Sequence, residues 1–556
     1  MKSYFRQISA TAISILLIGC GSNMSSNPPL HPQTEQSGGE LSLAQAKYDV
    51  QHYTINLEVD PDKQHIIGDV SMRATALRDV DIVELDLDPR LEVSSARVDG
   101  ELAQFEKAEG KLYLRSQSVG AGDKFTTRVE YQGRPYRAEN PPWDGGFVWD
   151  RTASGEHWIA TAVQSRGCDL YWPCKDHISD KSDMGADMFI TVPENLTAVM
   201  NGKLISQETV DGQTIYHWQT ENPISSYNLA INIAPFQKYE LTYKGSIQDI
   251  PLVYYHVTDD ISEVQNLIDN DLLNQLEFYE RTIGPFPWGD EKIGMVEIPY
   301  LGMEHQTMIG YGNEYLQSDV GFDWLMLHEF SHEWFGNLMT QDRSRDFWLH
   351  EGMASFMESV FYQQKMGRAA YWTHMWGRYN QIQNCKPVVP AKEVTSEYFD
   401  STDVYYKGAW MLTTLRWLMG DQAFWRTLRR TVYDTTNPWA LSYPMTTTRR
   451  TTEDFIEIAS EEFGSDLSWF FDVYLKQTEL PILVESRDED GLRLHWANYP
   501  DLLLNMPIEI IENDESRFEV LATDNSLLPL PADVWAQVDP ETRVFRDFGA
   551  RDWCSD

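Results

Sequence analysis

Positive charge is scarce in this chain. Only 45 of its 556 residues are Lys or Arg, against 85 Asp or Glu, leaving a formal net charge of −40. Nucleic-acid binding needs clustered cations to neutralise phosphates, so the composition argues against that class. Docking to anionic lipid by charge alone is disfavoured on the same ground. The acid excess reads as a solvated surface that keeps the protein soluble. Cysteine is rare too. No two of Cys20, Cys168, Cys174, Cys385 and Cys554 form a C-x-x-C pair, which argues against a cysteine zinc site. The last four leave disulfides open in an oxidising compartment, and no pairing follows from the sequence. Beyond the first twenty positions no apolar run reaches eighteen residues, so no later bilayer-spanning helix is expected. No segment repeats at a fixed period.

What is present points to a folded, multidomain protein. Hydrophobic residues make up 42% and aromatics 12%, which rules out wholesale disorder. At roughly 150 residues per domain the length predicts three or four domains. The chain opens with Lys2 and Arg6, then an apolar stretch from Ala10 to Ile18, and no acid before residue 20. That is a signal-peptide pattern, too short for a permanent span. It ends Leu17-Ile18-Gly19-Cys20, which resembles a bacterial lipobox. The resemblance implies removal of residues 1–19 and acylation of Cys20, anchoring the protein to membrane without a transmembrane helix. Gly21 in place of Asp favours the outer membrane over the inner, facing periplasm or exterior. Residues 20–44, rich in Ser, Asn, Pro, Gln and Gly, read as a flexible tether.

From Tyr48 apolar residues alternate (Tyr53, Ile55, Leu57, Val59), and similar runs recur to about residue 245. This predicts a mostly antiparallel β domain over 45–245. Helical spacing takes over at Ile261–Arg281, giving an α-rich domain over 246–479. One late helix should start at a capping box of Thr451 and Asp454. Strand patterning returns after Pro481, predicting a small β-sandwich over 480–556. The expected class is α+β, in the order β, α-rich, β.

The chemistry centres on His328-Glu329-Phe330-Ser331-His332. Residues four apart lie one helical turn apart on one face, so both imidazoles can point at one ion. Glu329 beside them can reach a water on that ion. Glu351 follows after an eighteen-residue gap and supplies a third donor. Two imidazoles and one carboxylate leave a fourth tetrahedral position open, the arrangement of catalytic rather than structural zinc. HExxH, this gap and the Glu resemble the M1 family of zinc aminopeptidases. Trp334-Phe335-Gly336-Asn337 and Trp348-Leu349 agree with it. The resemblance implies one Zn²⁺ held by His328, His332 and Glu351. It also implies Glu329 as general base for a metal-activated water. The implied fold is a saddle-like β domain, a thermolysin-like catalytic domain and a β-sandwich. Many members add a helical domain over the site. Its expected absence predicts a more open cleft.

An exopeptidase must hold a free ammonium near the metal. Leu301-Gly302-Met303-Glu304-His305 resembles the family's Gly-x-Met-Glu-Asn motif, with Leu and His at the two departures. The resemblance makes Gly302, Met303 and Glu304 substrate-binding residues, Glu304 taking the amine. Gln164 stands where the family carries a Gln or Glu that helps bind it. Tyr405-Tyr406-Lys407-Gly408 resembles the family's Tyr-x-Lys-Gly segment, making Tyr405 the oxyanion donor, with Tyr406 its rival. Asp346 is a candidate partner for a ligating imidazole. The expected activity is removal of N-terminal residues from peptides with a free amine. The alternatives are a zinc endopeptidase or a catalytically silent peptide-binding surface protein. Oligomeric state and side-chain preference are not legible.

Overall fold

The computed structural model describes residues 30–556, apart from 318–320, 500, 503–504, 513–514, 521–525, 529–534, 550–552 and 555–556. The signal-like segment and Cys20 lie outside the described residues.

The β domain is built on an eight-stranded sheet. Its order is Lys203–Val210, Gln213–Thr220, Ala186–Pro193, Tyr48–Asp60, His65–Ala76, Lys124–Gly133, Glu92–Val98 and Glu101–Leu102. Neighbours are antiparallel except Tyr48–Asp60 with Ala186–Pro193. The sequence alternation explains the geometry, because Ile55, Leu57 and Val59 are buried while Glu58 between them faces solvent. A four-stranded sheet (Thr197–Val199, Asn232–Ala234, His157–Ala162, Gly146–Arg151) leads the chain towards Gln164.

Gln237–Lys244, which the alternation assigned to this domain, pairs with Asp249–His256 in the next one. The boundary therefore falls near residue 236 rather than 245. Period-two patterning marks a strand but not the sheet it joins. This second sheet runs Gln237–Lys244, Asp249–His256, Ile293–Glu297, Ile309–Tyr311, Gly302–Met303. Its last strand is a two-residue edge. Residues Val296, Ile298, Tyr300, Met303 and Met308 pack into the β-domain core, so that edge docks where the two domains meet.

The helix expected at Ile261–Arg281 is interrupted. Ile261–Asn266 and Leu273–Thr282 are α, and Leu267–Leu272 between them makes wider π turns. The capping box at Thr451 and Asp454 is present. The C-terminal strands form two three-stranded sheets. Their Leu492, Leu494, Ile508 and Ile510 share one core with the catalytic helices. Disulfides join Cys168 to Cys174 and Cys385 to Cys554, the latter tying the C-terminal segment to the catalytic domain.

The described part of the expected tether is not free. Ser37 Oγ donates to Asp176 Oδ2 at 2.8 Å, and Gly38 bridges to Thr395 of the catalytic domain. Small polar residues read as linker because they bury little, but their backbone groups can be fully paired. No helix among the described residues is long and apolar enough to cross a membrane.

Candidate metal centre and amine site

Two helices bring the donors together. Trp324–Ser331 starts at Asp323, whose side chain accepts the Met326 N–H at 2.8 Å. It carries His328 and Glu329, and His332 caps its far end. Trp348–Met366 packs beside it and carries Glu351. His328 Nε2, His332 Nε2 and a Glu351 carboxylate oxygen lie within 4.8 Å of one another. The imidazole Nε2 atoms are 3.2 Å apart, and Glu351 Oε2 is 3.2 and 3.5 Å from them.

Their outer nitrogens decide what these atoms can do. His332 Nδ1 lies 3.0 Å from the Phe335 carbonyl, which can only accept, so Nδ1 carries the proton. His328 Nδ1 lies 2.8 Å from Glu358 Oε1 and donates likewise. In the neutral imidazoles both Nε2 atoms then present lone pairs, to each other and to a carboxylate. Three acceptors converging in a buried site require a cation, and this donor set fits zinc. The field agrees. Burial alone would lower both imidazole pKa values, but Glu351 overrides it, with Glu358 at His328. His332 is held at about 9 and His328 well above its usual range. Burial likewise opposes ionisation of Glu351, yet His332 and His328 hold its carboxyl well below the carboxylate range. A metal ion entering this field displaces protons.

Glu329 is 7% exposed. Burial first, then the Glu304 carboxylate, pushes its pKa up to about 8, against the opposing pull of the two imidazoles. A bound dication acts in the same sense as the imidazoles. A carboxyl tuned towards neutrality suits proton transfer in both directions. Gly302 is why Glu329 fits. A Cβ at residue 302 would stand 2.5 Å from Glu329 Oε1.

Glu304 is buried at the domain junction. Gln164 Nε2 and the Tyr227 hydroxyl, the latter at 3.1 Å, both donate to its Oε1. Burial, then Glu351, raises its pKa, while His332 works against them. A cation placed beside Glu304 would favour its ionised form. Asn337 holds this loop, donating to the Glu304 carbonyl at 2.9 Å and to Glu333 Oε2 at 3.0 Å. Glu333 in turn accepts the Thr307 N–H at 2.9 Å. His305, at the family's Asn position, is fully buried, and burial drops its pKa to about 3.

The two tyrosines face different partners. Tyr405 lies over His328 with ring centroids 6.2 Å apart. Burial, then Glu351, Glu304 and Glu329, raises its phenol pKa well above the usual range, so it stays a donor. The Tyr406 hydroxyl accepts from Arg378 at 3.0 Å, and Arg378 also donates to Glu358 Oε2 at 2.8 Å. Tyr406 thus belongs to the support of His328. Asp346 is not an imidazole partner; its Oδ1 accepts the Thr452 hydroxyl at 2.6 Å. The sequence reading missed Glu358 and Tyr227. Glu358 was findable, seven positions after Glu351 and two turns along one helical face. Nothing local marks Tyr227.

A His₂Glu centre on two helices, beside a sheet whose edge carries a buried carboxylate, defines a metalloprotein with a catalytic-type site. The comparisons place it more closely. The peptidase family M1 domain model matches residues 270–474, and the peptidase M1 N-terminal domain model matches 49–228. The chain belongs to peptidase family M1. Leucine aminopeptidase 2 of Candida glabrata is 24% identical over 319 residues, covering 56% of this chain and 46% of that protein. Leucyl aminopeptidase of Saccharolobus solfataricus is 22% identical over 496 residues, covering 82% and 56%. The chain spans about half the length of these curated relatives. An M1 zinc metallopeptidase mutant from Deinococcus radiodurans, crystallised with a Tyr-Ser-Ala substrate, shares the fold. Its TM-score is 0.68 at 22% identity, over 80% of this chain and 98% of that one.

Proposed function

We propose that this protein is a zinc aminopeptidase that removes N-terminal residues from peptides with a free amine. The observation that carries the reading is the buried Gln164–Glu304–Tyr227 cluster beside the His₂Glu centre. A peptide ammonium would pair with the buried Glu304 carboxylate by charge-assisted hydrogen bonds, which favours this reading over an endopeptidase. The intact donor set, Glu329 and Tyr405 argue against a silent binding protein.

Zinc held by His328, His332 and Glu351 would polarise the scissile carbonyl and acidify the attacking water. Glu329 accepts the proton of that water and delivers it to the leaving amine. The Tyr405 hydroxyl donates to the developing oxyanion. Glu304 and Gln164 grip the substrate ammonium, so only the first peptide bond lies over the metal. Glu358 and the Phe335 carbonyl keep the imidazole tautomers.

The test is a panel of aminoacyl fluorogenic substrates, with and without a chelator. Turnover should vanish with chelator and return with zinc; chelator-resistant turnover contradicts the reading. Glu329→Gln should keep its zinc and lose about 10²–10⁴-fold in kcat.

We further propose a bacterial cell-envelope location, with Cys20 acylated and the protein on the outer membrane. The lipobox-like sequence supports this, as do two disulfides suited to an oxidising compartment. Cys20→Ala should abolish lipid labelling and release the protein from the membrane fraction. Unchanged membrane retention would contradict it.

A further inference from the structure

We propose that Gln36–Gly39 is a positioning strap that fastens the Gln164 loop to the catalytic domain and so sets how Gln164 and Glu304 receive the substrate ammonium. The proposal rests on the aminopeptidase reading above. Ser37 lies between two loops from different domains. Its N–H donates to the Ser165 carbonyl at 3.1 Å, and its own carbonyl accepts the Ser396 N–H at 2.9 Å. The Ser396 hydroxyl also donates to the Ser165 carbonyl. The carbonyl immediately after Gln164 is thus gripped by the strap and by the catalytic domain at once.

Each side is anchored further. On the β domain, Ser37 Oγ donates to Asp176 Oδ2 at 2.8 Å, just past the Cys168–Cys174 disulfide. On the catalytic domain, the Gly39 N–H donates to the Val394 carbonyl at 2.9 Å and lies 3.2 Å from Ser344 Oγ. Gln36 exchanges side-chain hydrogen bonds with Thr395 and Glu397, both 2.6 Å. This catalytic loop runs on through Phe399, which packs on Phe347 at the start of the Glu351 helix. It then enters Asp403–Met419, the helix of Tyr405. The strap therefore connects the amine side of the site to the oxyanion side. Releasing it should loosen Gln164 and weaken substrate capture. Proton transfer by Glu329 is held by other elements and should persist.

The experiment uses the full-length, zinc-loaded protein. Gly38 has φ +86°, and a Cβ there would stand 2.8 Å from Ser344 Oγ, so Gly38→Val displaces the strap. Ser396→Ala removes one grip on the Ser165 carbonyl with little risk to folding, and Ser396→Thr restores the hydroxyl. KM, kcat and zinc content are measured on an aminoacyl substrate and its N-acetylated twin. Gly38→Val should raise KM about tenfold with kcat within about threefold and full zinc. Ser396→Ala should raise KM less, and Ser396→Thr should return it to wild type. Unchanged KM in Gly38→Val and Ser396→Ala overturns the strap. So does a matching loss of kcat and zinc, which marks general domain damage. If the wild type cleaves the acetylated twin equally well, the aminopeptidase reading itself fails, and the strap with it. Selective wild type with indifferent variants overturns the strap alone.

Discussion

Glu358 holds the proton on His328 Nδ1 and is itself held by Arg378, so the metal-facing lone pair depends on a residue that never touches the ion. Outer partners of this kind are worth about 10–100-fold in metal affinity. Glu358→Ala should therefore lose zinc to a competing chelator about 10–100 times more readily than wild type; equal retention would contradict the role. At this scale legibility followed sequence distance. His328 and His332 were readable because helical periodicity fixes where residues four apart point, and Glu351 because its gap to them resembles the M1 pattern. Tyr227 was not, because it reaches Glu304 across 77 positions and from another domain. Asp346 misled for the opposite reason: it is near Glu351 in sequence but turns to Thr452.

Helix crossings set the oxyanion side. Trp348–Met366 and Asp403–Met419 meet where Gly352 faces Gly408, and a Cβ at residue 408 would stand 3.0 Å from the Gly352 Cα. Both glycines neighbour site residues, Glu351 and the Tyr405 turn, so the close approach brings the phenol towards the metal ligands. Gly408→Val should force the helices apart at a cost of about 1–3 kcal/mol. Its kcat should fall tenfold or more while zinc loading survives, read from turnover and metal content. Wild-type kcat would show that the crossing does not position Tyr405. The glycine was visible in the sequence within Tyr-Tyr-Lys-Gly, but its partner was not, since contact between helices is a tertiary fact. Residues 36–39 were misread for a related reason. Many of their hydrogen bonds run through the backbone, and composition cannot report them.

The whole molecule carries its acidity unevenly. Most is surface charge, but some is buried by the Gln164 loop, where Asp176 faces Asp86, Asp169, Lys111 and Ser37. Burial first, then Asp86, pushes the Asp176 carboxyl up to about 7, while Ser37 and Lys111 pull the other way. In the unfolded chain it titrates near about 3.9. The folded state therefore binds this proton more tightly. The stabilisation is complete below the unfolded value and is lost as pH rises through about 7. Asp176→Asn mimics the protonated form and still accepts from Ser37. Its melting temperature relative to wild type should climb by a few degrees between pH 5 and pH 8. A constant difference would contradict the shift. The three-part β, α-rich, β order was legible at this scale. The placement of Gln237–Lys244 and the core shared by the C-terminal sheets and catalytic helices were not, because patterning reveals a buried face without naming what covers it.

The central claim is that Glu304 makes this centre count from the amino terminus. The most direct measurement is kcat/KM on one peptide and its N-acetylated twin, for zinc-loaded wild type and Glu304→Ala. The wild type should prefer the free amine by about 100-fold, equivalent to roughly 3 kcal/mol for a buried charge pair. Glu304→Ala should keep its zinc and lose that preference to within a few fold. Equal cleavage of both peptides by the wild type, or undiminished preference without Glu304, would contradict the account.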